Sequence, residues 1–201
     1  MNSDHALTKQ AAWEKLAQTC AHGAIYDSQE RQPHSKCLPG TRKDFLESLC
    51  AIVESGTRNI VWVVGDSGSG KSTVAHTFAD ELSQEGLLAG TFFFARNNPR
   101  RNTFDLVFLT LAYQLGLQHH VTRDIIATAI SVDPSLLDPA KSHVDQLERL
   151  VVRALNSLKL QWANKNMSIV IDALEEGATT NGTSHVEPFV TLLARLTRNH
   201  N

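Results

Sequence analysis

The sequence has few cysteines, no excess of charge of either sign and no long apolar run. Its three cysteines, Cys20, Cys37 and Cys50, form no CxxC pair, which argues against a disulfide framework and against a zinc site. A formal net charge of -2 over 201 residues excludes a whole-molecule attraction to nucleic acid or to an anionic membrane. No apolar run approaches the ~18 residues needed to cross a bilayer, and the N-terminus lacks the segments of a secretory signal. We therefore expect a cytoplasmic protein in a reducing compartment, with neither a membrane nor a nucleic acid as its partner.

The composition is that of an ordinary globular domain. With 42% hydrophobic and 20% charged residues, the chain can bury a sizeable core. A helix is predicted within residues 1–23, because apolar residues recur there at helical spacing. Residues 21–40 are polar and interrupted by proline, which indicates an irregular connector. The main domain is predicted over residues 24–201.

Three short apolar runs alternate with helical patterns. Because each run is apolar at consecutive positions, both of its faces should be covered, as in a parallel sheet with helices on either side. The predicted strands are 59–64, 91–95 and 167–173. The helices predicted after the connector span about 41–55, 71–85, 103–115, 121–130, 142–158 and 188–198. This alternation predicts a three-layer α/β fold with a mainly parallel sheet.

Two of these predicted helices begin with the spacing of a capping box. Thr41 is followed three residues later by Asp44, and Ser142 by Asp145. In a capping box, the hydroxyl of the first residue accepts a hydrogen bond from the backbone of the fourth. Both helices are therefore predicted to begin with a side-chain cap.

A glycine-rich loop lies between the first predicted strand and the following helix. Residues 65–72 read GDSGSGKS and match G-x-x-x-x-G-K-[ST] without a mismatch, which chance would produce in on the order of one percent of chains this long. Glycines let backbone N–H groups point at a phosphate, and the next helix adds its own unpaired N–H groups and positive dipole end. The residues predicted to bind a nucleotide here are Gly65, Asp66, Ser67, Gly68, Ser69, Gly70, Lys71, Ser72 and Thr73.

Lys71 and Ser72 make the loop more than a flexible turn. Lys71 would reach the β- and γ-phosphates, and the hydroxyl of Ser72 would bind Mg²⁺. A simple Gly/Ser turn explains the glycines but not a lysine and a hydroxyl at these two positions. The loop therefore predicts a site for ATP or GTP together with Mg²⁺.

An acidic stretch follows the third predicted strand. Asp172 stands at the carboxyl end of that strand, where an open parallel sheet places its ligands, and it is predicted to bind Mg²⁺ opposite Ser72. Glu175 and Glu176 follow, and one of them would orient or deprotonate an attacking water, the role that separates a hydrolase from a kinase. Either glutamate alone is equally well explained as a solvated residue at a strand end.

Basic residues follow the second predicted strand. Arg96, Arg100 and Arg101 form a cluster that is most simply a solvated loop, with Arg96, nearest the strand, as a candidate γ-phosphate contact. The nine histidines show no metal-ligand spacing, so we interpret them as surface or packing residues.

Several separated motifs together resemble one family. YDSQERQPHSKCLPGTR, GDSGSGKST, GTFFFAR, LAYQLG and IVIDALEEG occur in the order and spacing of the NACHT-type NTPases abundant in fungi, also grouped as nephrocystin-3-like N-terminal domains. These domains belong to the STAND class of signalling ATPases, and the resemblance begins at about Ala24 and covers nearly the whole chain. It implies the ASCE form of the P-loop NTPase fold and a nucleotide-driven switch that forms a homo-oligomer. It also implies that Gly40, Thr41 and Arg42 contact the adenine or ribose.

The sequence departs from this family in two respects. The family's acidic stretch is DALDEC-like, whereas this chain has Glu175 in place of the second aspartate and Gly177 in place of the cysteine. Because the longer glutamate side chain would shift the metal or the water, the sequence supports nucleotide hydrolysis less strongly than nucleotide binding. The chain also stops at Asn201, before the strand that in this family lies between the phosphate-loop strand and the aspartate strand. We therefore expect a truncated domain, incomplete at its C-terminus, with unpaired ladder groups and uncovered apolar faces.

Three functions remain open from the sequence. The first is a nucleotide-binding switch module that slowly hydrolyses ATP or GTP. The second is a fragment that binds Mg-nucleotide, or a partner, without turnover. The third is a small P-loop kinase, for which the length is suitable but which has no use for paired acids after the metal-binding aspartate.

Overall fold

The computed structural model describes residues 2–31, 36–56, 60–163, 165–177, 179–180, 183–184 and 186–198. These residues form a mixed α/β protein that divides into two compact units. The first unit comprises Met1–His22 and Thr103–Ala163, and the second comprises Gly23–Asn102 and Asn164–Asn201. All the site residues predicted from the sequence belong to the second unit.

Helices dominate the secondary structure. They are α1 (Asn2–Thr19), α2 (Lys43–Ser55), α3 (Lys71–Gln84), α4 (Val107–Gln118), α5 (His120–Val132), α6 (His143–Gln146), α7 (Arg153–Leu158) and α8 (Val186–Arg198). A π-helical segment, Leu147–Val152, joins α6 to α7, and short 3₁₀ turns cover His22–Ala24, Gln29–Arg31, Pro134–Leu137 and Leu174–Gly177. No helix in the described part of the chain is long and apolar enough to span a bilayer.

The described secondary structure of the first unit is entirely helical. Trp13 of α1 is buried, and its ring stacks on Tyr113 of α4 with 5.3 Å between the ring centroids. The guanidinium of Arg123 in α5 lies 4.7 Å from the centroid of the same ring. The close approach is possible because α4 has a glycine, Gly116, where a Cβ would lie 2.5 Å from the indole. α1 therefore docks through one aromatic residue onto both α4 and α5.

The second unit contains a short parallel sheet. Its strands are β1 (Leu88–Phe93) and β2 (Ser168–Asp172), and a separate antiparallel pair is formed by β3 (Thr179–Thr180) and β4 (Thr183–Ser184). Two of the three predicted strands are thus confirmed. Phe93 lies opposite Asp172 in the parallel register, so both strands end at the same edge of the sheet. Ligands of open α/β sheets bind at this carboxyl edge.

The first predicted strand, 59–64, is wrong for the residues that the structure describes. Residues 60–66 are neither helix nor strand, and Trp62 and Val64 are 57% and 79% exposed. Among the described residues, the parallel sheet consists of β1 and β2 alone, so this segment has no ladder to join. Consecutive apolar residues indicate a need for burial, but they do not specify which neighbouring strand provides it.

Both predicted capping boxes are also wrong. α2 begins after Arg42, whose φ of 59° is left-handed and whose side chain makes no capping hydrogen bond. The Thr41 hydroxyl instead donates to the backbone oxygen of Leu38 at 2.7 Å, within the preceding turn. Ser142 precedes α6 without a side-chain cap. The correct spacing is insufficient when the hydroxyl is used elsewhere or the residue lies outside the N-cap position.

α2 and α3 pack through a small apolar cluster. Leu46 and Leu49 of α2 meet Val74 of α3, and Cys37 and Phe78 are packed against them. All three cysteines of the chain are free thiols. Because the cluster lies near the start of both helices, it brings the turn before α2 close to the glycine-rich loop before α3.

Candidate functional site

The glycine-rich loop has a backbone that only glycine adopts easily. Gly68 and Gly70 have φ of 77° and 88°, and a Cβ at either would meet no atom within 4 Å. The Ser69 N–H donates to the Asp66 carbonyl at 3.1 Å and tightens the turn. Gly70 then forms the N-cap of α3 without a side-chain cap. The first N–H groups of a 14-residue helix are thus left for another acceptor.

Lys71 folds back over this loop. Its Nζ donates to the carbonyl oxygens of Gly65 at 2.8 Å and of Asp66 at 3.0 Å. These two bonds hold the ammonium group above the loop, beside the uncapped start of α3. The structure therefore places a cation and a set of backbone donors on one small surface.

Ser72 and Asp172 meet across one hundred residues of sequence. The Ser72 hydroxyl lies close enough to the carboxylate of Asp172 to lower the pKa of that carboxyl group through hydrogen bonding. Asp172 is only 9% exposed, and burial raises the pKa of its carboxyl group, while the Ser72 hydrogen bond and the charge of Arg31 oppose that rise. A hydroxyl and a carboxylate from two different elements are thereby brought together at the carboxyl edge of the sheet.

The acidic stretch after β2 is divided between two environments. Ala173 has a left-handed φ of 54°, which turns the chain sharply into Leu174–Gly177. Glu176 accepts a hydrogen bond from the backbone N–H of Arg96 at 2.8 Å and so ties this turn to the loop after β1. Glu175 is exposed, and its charge lies close enough to raise the pKa of Asp172.

Arg42, in the turn before α2, contacts the glycine-rich loop, whereas no contact of Arg96 with that loop is described. Arg96 is exposed, and its described hydrogen bond uses the backbone rather than the guanidinium. Arg42 reaches the glycine-rich loop, where its Nη2 donates to the Ser69 carbonyl at 2.8 Å. Gly40, with a φ of 80°, and Thr41 shape the turn that presents Arg42. Of these four predicted residues, Arg42 is the one with a described contact to the loop.

Arg31 also lies beside Asp172, although no sequence pattern distinguishes it from the other residues of the connector. Its guanidinium lies 3.5 Å from the centroid of the Phe93 ring, and Phe93 is the register partner of Asp172. Burial lowers the pKa of Arg31 to about 10, although the charge of Asp172 acts in the opposite direction; the charge of Arg101 lowers it further. A single arginine in a polar connector has no local pattern that could have identified it.

The chain matches the family model described as nephrocystin 3, N-terminal, over residues 40–201. The chain belongs to the nephrocystin 3 N-terminal family. No match was found among curated proteins or among solved structures. The matched region of this nephrocystin 3 N-terminal domain includes the glycine-rich loop, Arg42 and Asp172, whereas Arg31 lies outside it.

Gly177 also has a structural role in this nephrocystin 3 N-terminal domain. A Cβ at Gly177 would lie 2.3 Å from Cε1 of Phe94, a residue that is 5% exposed. A cysteine here, as in the motif that the sequence resembles, would therefore require Phe94 to move. The glycine is the residue that fits beneath this ring.

No cluster of three or more His, Cys, Asp or Glu side chains able to hold a metal occurs within the residues described. A Mg²⁺ ion bound with a nucleotide does not need such a cluster, because phosphate and water oxygens fill most of its coordination sphere. One hydroxyl and one carboxylate, as in Ser72 and Asp172, match the protein ligands of such an ion. The residues present are therefore compatible with Mg²⁺ that arrives with a nucleotide.

Proposed function

We propose that this domain is a P-loop NTPase of the NACHT type, which binds ATP or GTP with Mg²⁺ and hydrolyses it slowly as a signalling switch. The observation that carries the proposal is the approach of the Ser72 hydroxyl to the Asp172 carboxylate, directly beside the uncapped start of α3. A polar pair at this position is expected for a metal-nucleotide site, and a purely structural turn does not require it.

The loop supports the phosphate-binding part of this proposal. Gly68 and Gly70 leave open space above a backbone whose N–H groups have no side-chain cap. Phosphate oxygens would accept hydrogen bonds from these groups and from the Nζ of Lys71, which now donates to two loop carbonyls. When a nucleotide binds, the Lys71 ammonium would thus donate to charged phosphate oxygens in place of two neutral carbonyl oxygens, and hydrogen bonds to charged acceptors are stronger.

The two glutamates have different roles in this proposal. Glu176 holds the backbone of the loop after β1, so its carboxylate already has a structural partner. Glu175 is exposed and near Asp172, so it is the residue that would position the attacking water. Bound Mg²⁺ would supply positive charge to stabilise the transferring phosphoryl group.

Nucleotide binding is tested by titrating the purified chain with a fluorescent ATP analogue in the presence of Mg²⁺. Lys71→Ala should weaken binding by at least about tenfold, since it removes a charged donor to the phosphates. Lys15→Ala, which removes an exposed lysine of α1 in the other unit, is the matched control and should bind like the parent. Equal affinity of the parent and Lys71→Ala would refute the proposed site.

Hydrolysis is tested by following phosphate release in the same samples. Glu175→Gln should reduce turnover by about 10²-fold or more with little change in binding, because it removes the proposed general base. Glu176→Gln keeps an oxygen that can accept from Arg96 and should retain most of the turnover. Binding without turnover in the parent would instead favour the non-catalytic module. Phosphate transfer to added nucleosides would favour the kinase.

A further inference from the structure

Arg31 has no part in the function proposed above, yet it lies close to Asp172. It ends the 3₁₀ turn Gln29–Arg31, well before the glycine-rich loop in the sequence. The Cζ of its guanidinium lies over the Phe93 ring, 3.5 Å from the ring centroid. Phe93 and Asp172 are paired in the sheet, so Arg31 lies at the edge where Ser72 and Asp172 also meet.

The bonding of Arg31 leaves it able to take an anion. Its Nε is buried and has no hydrogen-bond partner among the described residues, and the described ion pairs do not include it. Phe93 attracts the guanidinium through the face of its ring, an interaction that requires no hydrogen bond from the N–H groups. A planar donor that is positioned but incompletely hydrogen-bonded is suited to a phosphate.

A second guanidinium increases the positive charge at this point. Arg101 is close enough to Arg31 to lower the pKa of Arg31, and its Nε also lacks a partner within the described part of the chain. Its Nη1 is anchored on the Gly23 carbonyl at 2.9 Å. Arg101 therefore lies close to Arg31, and Arg31 in turn lies close to Asp172. A bound anion would relieve the repulsion between the two neighbouring guanidinium groups.

We propose that Arg31 contacts the terminal phosphate of a bound nucleoside triphosphate and thereby makes the site distinguish the triphosphate from the diphosphate. This inference rests on the proposed function. It assigns to Arg31 the γ-phosphate contact that the sequence had suggested for Arg96. Arg96 is exposed, whereas Arg31 is half-buried beside the register partner of Asp172.

A purely structural role for Arg31 makes a different prediction. If Arg31 only pins the Gln29–Arg31 turn to Phe93, its loss should weaken the binding of triphosphate and diphosphate equally, or lower only the melting temperature. If it contacts the terminal phosphate, its loss should weaken triphosphate binding alone. The ratio of the two affinities therefore separates the two roles.

The experiment measures the dissociation constants of a non-hydrolysable ATP analogue and of ADP, both with Mg²⁺, by isothermal titration calorimetry. For Arg31→Gln we expect the affinity for the analogue to fall about tenfold or more, since a charged hydrogen bond is lost, and that for ADP to change less than about twofold. Arg31→Lys, which keeps the charge but not the planar donor, should fall between the parent and Arg31→Gln. Arg100→Gln, a change at an exposed arginine, is the control and should bind like the parent.

Each outcome bears on one proposal or on both. An unchanged ratio of the two affinities in folded Arg31→Gln or Arg31→Lys, with parent-like melting temperatures as the test of folding, overturns the role of Arg31 but leaves nucleotide binding intact. If Arg31→Gln does not fold, the ratio in Arg31→Lys decides. If the parent binds neither nucleotide, or if Lys71→Ala binds as well as the parent, the proposed function itself fails.

Discussion

Replacing Gly177 by alanine tests how tightly the turn after Asp172 is packed. A Cβ at this position would lie 2.3 Å from Cε1 and 2.6 Å from Cδ1 of Phe94. Carbon atoms make their best contact at about 3.5–4.0 Å, so the ring must move by about 1 Å or more. Phe94 is buried, and its centroid lies only 4.7 Å from that of Phe92. Gly177 does not have a positive φ, so the strain is steric and does not come from the backbone.

The expected cost follows from two opposing effects. Overfilling a packed core destabilises a protein by about 1–3 kcal/mol. Exchanging glycine for alanine also stabilises the folded protein by about 0.4–1 kcal/mol, because it restricts the unfolded chain. We therefore expect Gly177→Ala to lower the free energy of unfolding by up to about 2.6 kcal/mol, which for a chain of this size lowers the melting temperature by up to about 10 °C.

Thermal unfolding followed by circular dichroism measures this effect. The control is a double-mutant cycle with Phe94→Leu, a smaller side chain that makes room for the new methyl group. The two changes should be coupled, so that Gly177→Ala costs clearly less in the Phe94→Leu background. A Gly177→Ala variant at least as stable as the parent, or strict additivity in the cycle, would refute the packing argument.

Two further predictions concern the first unit. The hydrogen bond from Ser135, together with Arg149 and Lys141, lowers the pKa of Asp133 to about 2. The ionised carboxylate therefore stabilises the folded state above pH ~4. That contribution is lost as the pH falls from about 4 to about 2, because the unfolded state takes up a proton on Asp133 at a higher pH than the folded state does. In acid titrations of unfolding, Asp133→Asn should therefore lose less stability than the parent over this pH range. Gly116→Ala places a Cβ 2.5 Å from the indole of Trp13 and should lower the melting temperature and shift tryptophan fluorescence, and an unchanged spectrum and stability would contradict the close packing.

Local patterns predicted the helices and two of the strands. The apolar faces of α3 and α4 and the terminating glycines Gly56 and Gly86, with φ of 60° and 67°, follow from the spacing of a few neighbouring residues. The segment 60–64 has an equally strong apolar pattern but is exposed, because a strand also needs a partner. The capping box predicted at Thr41 fails for a similar reason, because its hydroxyl donates to the backbone of the preceding turn instead.

The sequence by itself determined the glycine-rich loop, the lysine and serine that follow it, and the position of Asp172 at the end of a strand, because each depends on residues within one short segment. Only the tertiary structure decided that Arg31 lies over Phe93 beside Asp172 and that Glu176 bonds to the backbone of Arg96. These contacts join residues 62 and 80 positions apart, and the parallel pairing of β1 with β2 is what places Phe93 opposite Asp172. Patterns that span one or two turns of helix carry no information about which distant side chains such a pairing brings together.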